Sequence, residues 1–287
     1  MASKGDIPSD LSRYRVPLCS ACLFGKANKR AWWTKGPINR IHGQRVTKPG
    51  DCVSVDHLQS PILVFVGQMK GWLTRGQYDS ATVFVDHCSG LSYVHVQNST
   101  NGEETVLAKK TYETWCRTYG VTVRHYHSDN GQFAEKKFRQ SVSESLHQTI
   151  SYCGVNAHHQ NGVAEKRIRD LQELYRTALI YAQQRWPNAI TANLWPFALK
   201  MANDVHQSTP SLKDGISPLE KFSQVAVRPK ISSFHHFGCP VYVYAVMEYR
   251  CKAFKYDLLW QYMILNSGKQ YCSWIMRVSS TPARRVQ

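Results

Sequence analysis

Alternating hydrophobic and polar positions predict strands in the first half of the chain. The clearest are CVSVDHL at 52–58, ATVFVDH at 81–87 and LSYVHVQ at 91–97. This period of two is typical of strands that bury one face. Cys-Ser-Gly at 88–90 is a tight turn between the second and the third. The pattern therefore predicts three antiparallel strands.

Helix and strand alternate in the segments that follow. Ser99 or Thr100 can cap a helix that Gly120 closes, and its apolar stripe is more typical of core packing than of a cofactor site. A short strand is predicted at 121–126, where the helix can place it beside the first strand. TISYCG at 149–154 predicts another strand. The order βββαβαβα predicts an RNase H-like α/β fold, with a mixed sheet flanked by helices.

Two longer helical patterns occupy the next part of the chain. The first runs from Val163 to Trp186, buries one apolar stripe and is stopped by Pro187. The second covers 194–205, with Pro196 tolerated in its first turn. The chain is predicted to be loop-like and then strand-like after this helix.

The pattern predicts three parts. Residues 1–47 form a polar, basic N-terminal segment that resembles a truncated zinc knuckle, and residues 48–206 form the RNase H-like core. Residues 207–287 form a C-terminal extension. Beyond residue 245 no periodicity is clear, so this extension is predicted to be partly disordered.

The amino-acid composition narrows the range of functions that this chain could have. The 287 residues carry a formal net charge of +16, and the pI is about 9.5. A generic basic surface would give such values, but basic residues cluster near acidic ones here, which favours nucleic acid as the partner. The nine cysteines are odd in number and irregularly spaced, which indicates a reducing compartment rather than a disulfide framework. No apolar signal region or membrane-spanning run is predicted.

Three acidic residues are candidates for one site. Asp129 lies in HSDNGQF, where an apolar-flanked run stops in a turn, and Glu165 lies in the first turn of the helix that follows Asn161-Gly162. A helix, a strand and a loop fit between these two acids and can bring them together. Asp56, in CVSVDHLQSP, is the upstream candidate. Asp86 is its rival, but a position at a hairpin turn favours a structural role.

Clustered carboxylates indicate metal chemistry. Like charges in one cleft destabilise each other unless a hard cation such as Mg²⁺ binds between them. Two such ions can stabilise the attacking and leaving oxygens of a phosphodiester. Lys166, Arg167 and Arg169 follow Glu165 and could hold DNA phosphates, as could Gln160 and Asn161 in the turn before it. The structural alternative is an exposed Glu165–Arg169 pair worth a few tenths of a kcal/mol.

Cys19 and Cys22 form a CxxC pair that could supply half of a tetrahedral zinc site. The first histidine in the chain is His42, and no second one follows at a suitable spacing. A complete zinc site is therefore not predicted.

Five histidines surround the acidic residues in the sequence: His57, His125, His127, His158 and His159. Histidines in strands and loops more often pack or face solvent than bind a metal. The adjacent pair at 158–159 could instead contact DNA, because it precedes the Gln160-Asn161-Gly162 turn.

The motifs resemble a known family. They are CSACLFGKA, VSVDHLQSP, TVFVDHCSG, HSDNGQF, HHQNGVAEKRIRDL, SPLEKF and FHHFGCPVYV, in this order. From about Cys19 to Tyr244 the chain resembles the integrase region of copia-type LTR-retrotransposon polyproteins. The resemblance implies the retroviral integrase superfamily, with Asp56, Asp129 and Glu165 as a triad that binds Mg²⁺ or Mn²⁺.

The same resemblance implies an activity and partners. The activity would be trimming the 3′ ends of element DNA and joining them to target DNA. The expected partners are double-stranded DNA and further copies of this chain, and the expected location is the nucleus after a cytoplasmic phase.

Two features depart from the family pattern. The family's zinc module has two histidines ahead of its two cysteines, whereas none precedes Cys19 here, so zinc is not expected. The segment after Tyr244 also does not match. Two other functions stay open: a DNA-binding derivative without catalysis, and a nuclease of the same fold that acts on RNA–DNA hybrids.

Overall fold

A five-stranded sheet forms the centre of the molecule. The computed structural model describes residues 8, 10, 19–26, 46–65, 77–145, 147–154, 161–226 and 229–240. The strands are β1 (Val53–Phe65), β2 (Gln77–Asp86), β3 (Ser92–Gln97), β4 (His125–Ser128) and β5 (Thr149–Tyr152).

Helices pack on both faces of this sheet. They are α1 (Ser20–Gly25), α2 (Gly102–Thr118), α3 (Lys136–Ser143), α4 (Gly162–Arg185), α5 (Trp195–Ser208) and α6 (Pro218–Ser223). Short 3₁₀ turns are Gln132–Ala134, Ala192–Leu194 and Ile231–Ser233. Within the described ranges, no helix combines the length and the apolar character that crossing a membrane requires.

The strand order is β3-β2-β1-β4-β5. β1, β2 and β3 form an antiparallel meander, whereas β4 pairs with β1 in parallel and β5 pairs with β4 in parallel. The parallel pairs need crossovers, which α2 and α3 supply. This mixed sheet with flanking helices confirms the predicted RNase H-like fold.

The two faces of β1 belong to two different cores. Val53 and Val55 pack in a cluster that includes residues of α2 and α3, whereas Leu58 packs in a cluster that includes residues of α4 and α5. Since successive side chains of a strand point to opposite faces, Asp56 shares the face of Leu58. Asp56 therefore lies on the side of the sheet that α4 covers.

Helix α2 is capped one or two residues later than the pattern predicts. The side chain of Asn101, rather than Ser99 or Thr100, accepts a hydrogen bond from the backbone N–H of Glu104. Asparagine is among the best N-cap residues, so the cap fits a propensity that the sequence reading overlooked. Gly120 adopts a φ of 71°, as its predicted role in closing the helix requires.

The chain after residue 206 packs with the core. The predicted boundary between 206 and 207 falls inside α5, which continues to Ser208. Helix α6 begins with a capping box between Ser217 and Glu220, and its Phe222 is fully buried. The Phe222 ring stacks on Trp115 of α2 with centroids 5.5 Å apart. The tail beyond residue 245 lies outside the described residues.

Candidate active site

Asp56 and Asp129 lie at the same level on neighbouring strands. β1 and β4 pair in parallel with Ser54 opposite His127, and each acid follows its member of this pair by two residues. Both side chains therefore project to the face that α4 covers. Asp129 directly follows the last residue of β4, at the carboxyl end of the strand.

Glu165 reaches the same region from α4. The helix begins at Gly162, so Glu165 lies in its first turn, as predicted. The side-chain amide of Asn161, directly before the helix, donates a hydrogen bond to the backbone carbonyl of Val55 over 3.1 Å. This contact holds the start of α4 against β1 at the residue before Asp56.

Cys153 lies within electrostatic range of all three acids. Burial raises the pKa of its thiol, and the charges of Asp129, Glu165 and Asp56 raise it further. Its position explains why, because Tyr152 of β5 pairs with Ser128 of β4. Cys153 and Asp129 thus follow paired residues on adjacent strands. Sequence reasoning missed Cys153, although its place directly after β5 matches that of Asp129 after β4.

The carboxylates are oriented by the backbone. Asp56 accepts a hydrogen bond from the N–H of His57 at 2.8 Å, and Asp129 accepts one from the N–H of Gly131 at 3.2 Å. In the described part of the chain, no three His, Cys, Asp or Glu side chains are gathered closely enough to hold an ion. The donor chemistry nevertheless fits Mg²⁺ or Mn²⁺, because these ions bind carboxylate oxygens.

His57 packs rather than lining the acidic cleft. Its ring stacks on Phe133 with centroids 4.3 Å apart, and its Nε2 lies 3.3 Å from the hydroxyl of Thr105. Burial lowers its pKa to about 4, against an opposing effect of the Asp129 charge. The stack attaches the 3₁₀ turn that follows Asp129 to β1.

His125 and His127 belong to a hydrogen-bonded ladder between β4 and β5. The hydroxyl of Ser151 lies 2.8 Å from Nε2 of His125 and 2.9 Å from Nδ1 of His127. This is the packing role that the sequence favours for histidines in strands. His158 and His159 lie outside the described residues.

The residues predicted to hold DNA have different surroundings. Lys166 and Arg169 are exposed on α4, as a phosphate contact requires. Arg167 is half-buried, its guanidinium contacts the imidazole of His206 on α5, and burial lowers its pKa. Asn161 is only 1% exposed, so its amide is engaged inside the protein rather than at the surface. Gln160 lies outside the described residues.

Cys19 and Cys22 lie at the start of α1. A hydrogen bond from the backbone of Cys22 is the main cause that lowers the pKa of Cys19, whereas burial raises that of Cys22. Both are free thiols. Among the residues that the structure describes, no third or fourth ligand completes a zinc site with them. His42 lies outside those residues.

Asp86 has the structural role that its hairpin position favours. It is fully buried, and its carboxylate accepts hydrogen bonds from the N–H of Gly50 and from the N–H and hydroxyl of Ser89, at 2.7–2.8 Å. Burial raises its pKa. The rival of Asp56 thus ties the β2–β3 turn to the chain before β1.

Comparison with known proteins gives structural similarity alone. No family model matches the sequence, and no curated protein matches it either. The catalytic core domain of HTLV-2 integrase, solved with magnesium, is 18% identical with a TM-score of 0.43, over 62% of this chain and 99% of that one. The BIV integrase catalytic core is 20% identical with a TM-score of 0.42, over 61% and 95%.

A larger assembly is also similar. A chain in the structure of the simian T-cell lymphotropic virus intasome, solved with the PP2A regulatory subunit B56 gamma, is 17% identical to this one with a TM-score of 0.46. The match covers 74% of this chain and 66% of that chain. The assignment of the RNase H-like fold rests on the strand order and register described above.

Proposed function

We propose that this chain is a polynucleotidyl transferase of the retroviral integrase superfamily, of the copia type. It would trim the 3′ ends of element DNA and join them to target DNA. The observation that carries the proposal is geometric: Asp56 and Asp129 follow paired residues on parallel strands, and Asn161 holds the start of α4, the helix of Glu165, to Val55 beside Asp56. Three carboxylates from two strands and a helix form the donor set that metal-dependent phosphodiester chemistry uses.

Asp56, Asp129 and Glu165 would hold Mg²⁺ or Mn²⁺, which when bound supplies an activated oxygen nucleophile and stabilises the leaving 3′ oxygen. The backbone N–H groups of His57 and Gly131 orient two of the carboxylates. Positioning and electrostatics then provide the catalysis, and no side chain needs to form a covalent bond with DNA.

Double-stranded DNA is the proposed substrate. The formal net charge of +16 favours a polyanion, and exposed Lys166 and Arg169 lie one turn or less from Glu165 on α4. Cationic side chains at this place would bind phosphates and fix the register of the DNA relative to the acids. Assembly into a homo-oligomer and action in the nucleus are part of the same proposal.

The test is strand transfer with a pre-cut oligonucleotide duplex, with and without Mg²⁺ or Mn²⁺. We expect the wild-type chain to join ends only with metal. Asp129→Asn should reduce joining to background while DNA affinity in a filter-binding assay stays within about twofold, because phosphate contacts provide most of that affinity. Glu144→Gln changes an exposed carboxylate at the end of α3 and serves as the matched control. Joining by Asp129→Asn at the wild-type rate would refute the assignment.

A second candidate is a DNA-binding derivative without catalysis. The observation that favours it is that Asp56, Asp129 and Glu165, though close, are not gathered at one ion-binding point. A nicking assay on supercoiled plasmid separates the two candidates. Metal-dependent nicking that Asp129→Asn abolishes supports the transferase, whereas DNA binding without any nicking supports the derivative.

A further inference from the structure

Asn161 occupies the N-cap position of α4 but does not cap the helix. Asparagine is a favoured N-cap residue because its side-chain oxygen accepts a hydrogen bond from the first turn. Here no side-chain cap is formed at Asn161, although Asn101 forms one at the start of α2. The amide of Asn161 therefore has a different function in the structure.

That amide is directed to β1 instead. Its Nδ2 donates to the carbonyl of Val55 at 3.1 Å, and the residue is only 1% exposed. The pairing of β1 with β4 ends at Ser54 and His127. The amide thus provides a donor to the next residue of β1, directly beyond the last pair.

We propose that Asn161 is a positioning residue of the candidate active site. Its hydrogen bond fixes the first turn of α4, which carries Glu165, to the part of β1 that carries Asp56. Glu165 is one helical turn from Asn161, and Asp56 is adjacent to Val55, so one hydrogen bond links the elements of two acids. This inference rests on the proposed function.

Packing alone does not account for the amide. The Oδ1 of Asn161 is buried without a hydrogen-bond partner in the described residues, which is unfavourable for stability. Elsewhere α4 is held by buried apolar side chains such as Leu171. An apolar residue at 161 would avoid the unsatisfied oxygen but would lose the bond to Val55, so this bond is what the amide contributes at this position.

A direct contact with DNA is the competing explanation for Asn161. The side chain is almost fully buried, so it has no surface with which to reach a phosphate. The two explanations predict different measurements. A positioning residue affects the affinity for the metal in the absence of DNA, whereas a DNA contact affects only the affinity for DNA.

The experiment compares Asn161→Ala and Asn161→Leu with the wild-type chain. The alanine removes the amide, and the leucine removes it while filling the space. Asn203→Ala is the matched control, because Asn203 is also a buried helix asparagine bonded to a strand, through the hydroxyl of Ser92. It lies on α5, and its partner lies on β3, an edge strand that carries none of the three acids. Circular dichroism first establishes that each variant is folded at the temperature used.

Isothermal titration calorimetry with Mn²⁺ alone is the deciding readout. We expect the Kd for Mn²⁺ to rise about tenfold or more in both Asn161 variants, as for residues that orient metal ligands. Asn203→Ala should lose thermal stability with an unchanged Kd. An unchanged Kd for Mn²⁺ in folded Asn161→Ala and Asn161→Leu overturns the inference, whether or not DNA affinity falls.

If the proposed function is wrong, the experiment gives a different result. In that case the wild-type chain neither takes up Mn²⁺ nor joins ends, and the positioning role falls with it. Where the wild-type chain binds Mn²⁺ and joins DNA ends and Asp129→Asn does neither, the proposed function stands, and the Asn161 variants alone decide the inference.

Discussion

The imidazole of His57 stacks on the phenyl ring of Phe133, with centroids 4.3 Å apart and planes 18° apart. Phe133 belongs to the turn that follows Asp129, and His57 follows Asp56 on β1. The stack therefore joins the segments of two acids on the face opposite α4. Phe133 also packs edge-on against Phe138 of α3, which anchors the turn to the core.

Phe133→Ala should weaken both the fold and the site. Phe133 is 1% exposed, and loss of a buried phenyl ring costs about 3–5 kcal/mol. We expect a lower urea midpoint and, in the folded fraction, weaker Mn²⁺ binding because the Asp129 turn loses its support. Phe133→Leu should recover most of the stability. A stable Phe133→Ala variant with full metal affinity would show that the stack is dispensable.

Breaking the buried ion pair of α2 should destabilise the protein strongly. Lys109 and Glu113 lie 3.0 Å apart, and Glu113 also accepts hydrogen bonds from Tyr126 and Gln148 at 2.8 Å each. Glu113→Ala leaves a buried ammonium group without its carboxylate, so the unfolding free energy should fall by about 3–5 kcal/mol.

A second substitution checks this explanation. Adding Lys109→Met to Glu113→Ala removes the orphaned charge, and part of the lost stability should return in urea unfolding. Purely additive losses in the double variant would contradict the role given to the ion pair.

The fold should already lose stability between pH 6.5 and pH 5, above the pH range in which ordinary carboxylates titrate. Burial lowers the pKa values of His57, His95 and His206 to about 4, from 6.5 in the unfolded chain. Below pH 6.5 the unfolded chain takes up protons that the folded chain refuses, so stability falls from pH 6.5 towards pH 4. Burial raises the pKa of Asp204 to about 6, which has the opposite effect.

Asp86, whose pKa is also raised by burial, acts in the same direction as Asp204, and the three histidines outweigh these two aspartates. We expect the melting temperature to fall by roughly 5–10 °C between pH 7 and pH 5. His95→Gln removes one titrating group and should reduce the slope in scanning calorimetry. A melting temperature that does not change over this interval would show that these histidines are protonated in the folded protein.

The basic residues of α4 should divide into two groups in DNA binding. Lys166 is exposed, whereas Arg167 contacts His206. Lys166→Ala should weaken binding at all sequences and reduce the salt slope of the affinity by about 1, because one phosphate contact is lost. Arg167→Met should leave the slope unchanged and alter the melting temperature. Equal salt slopes for Lys166→Ala and the wild-type chain would contradict the predicted contact.

Periodicity predicts the elements of this fold well because each buries a regular face. The predicted helix at 163–186 is observed at Gly162–Arg185, and the predicted helix at 194–205 at Trp195–Ser208. The strand predicted at 121–126 is observed at His125–Ser128. The shift arises because the pairing of β4 with its neighbours begins at His125 and Tyr126, whereas Val121 and Val123 are buried before the strand starts and continue its apolar pattern in the sequence.

The environment of individual side chains was harder to predict. Asp129 and Glu165 could be singled out because turn signals mark the ends of their elements. The sequence reading assigned Arg167 and Asn161 to DNA because they neighbour Glu165. On a helix, however, residues two apart face different directions, and Arg167 is directed to α5. The partner of Asn161 is 106 residues away in the chain, which no local pattern indicates.

The 106-residue separation between Val55 and Asn161 has a consequence for biosynthesis. The antiparallel meander of β1–β3 can form soon after its residues leave the ribosome, because its pairings are local. The arrangement of Asp56, Asp129 and Glu165 cannot form at that stage, because the Val55–Asn161 hydrogen bond requires α4 to have been translated. A chain that ends before α4 therefore lacks both Glu165 and the hydrogen bond that holds this helix to β1, so the three acids come together only after Gly162–Arg185 has been made.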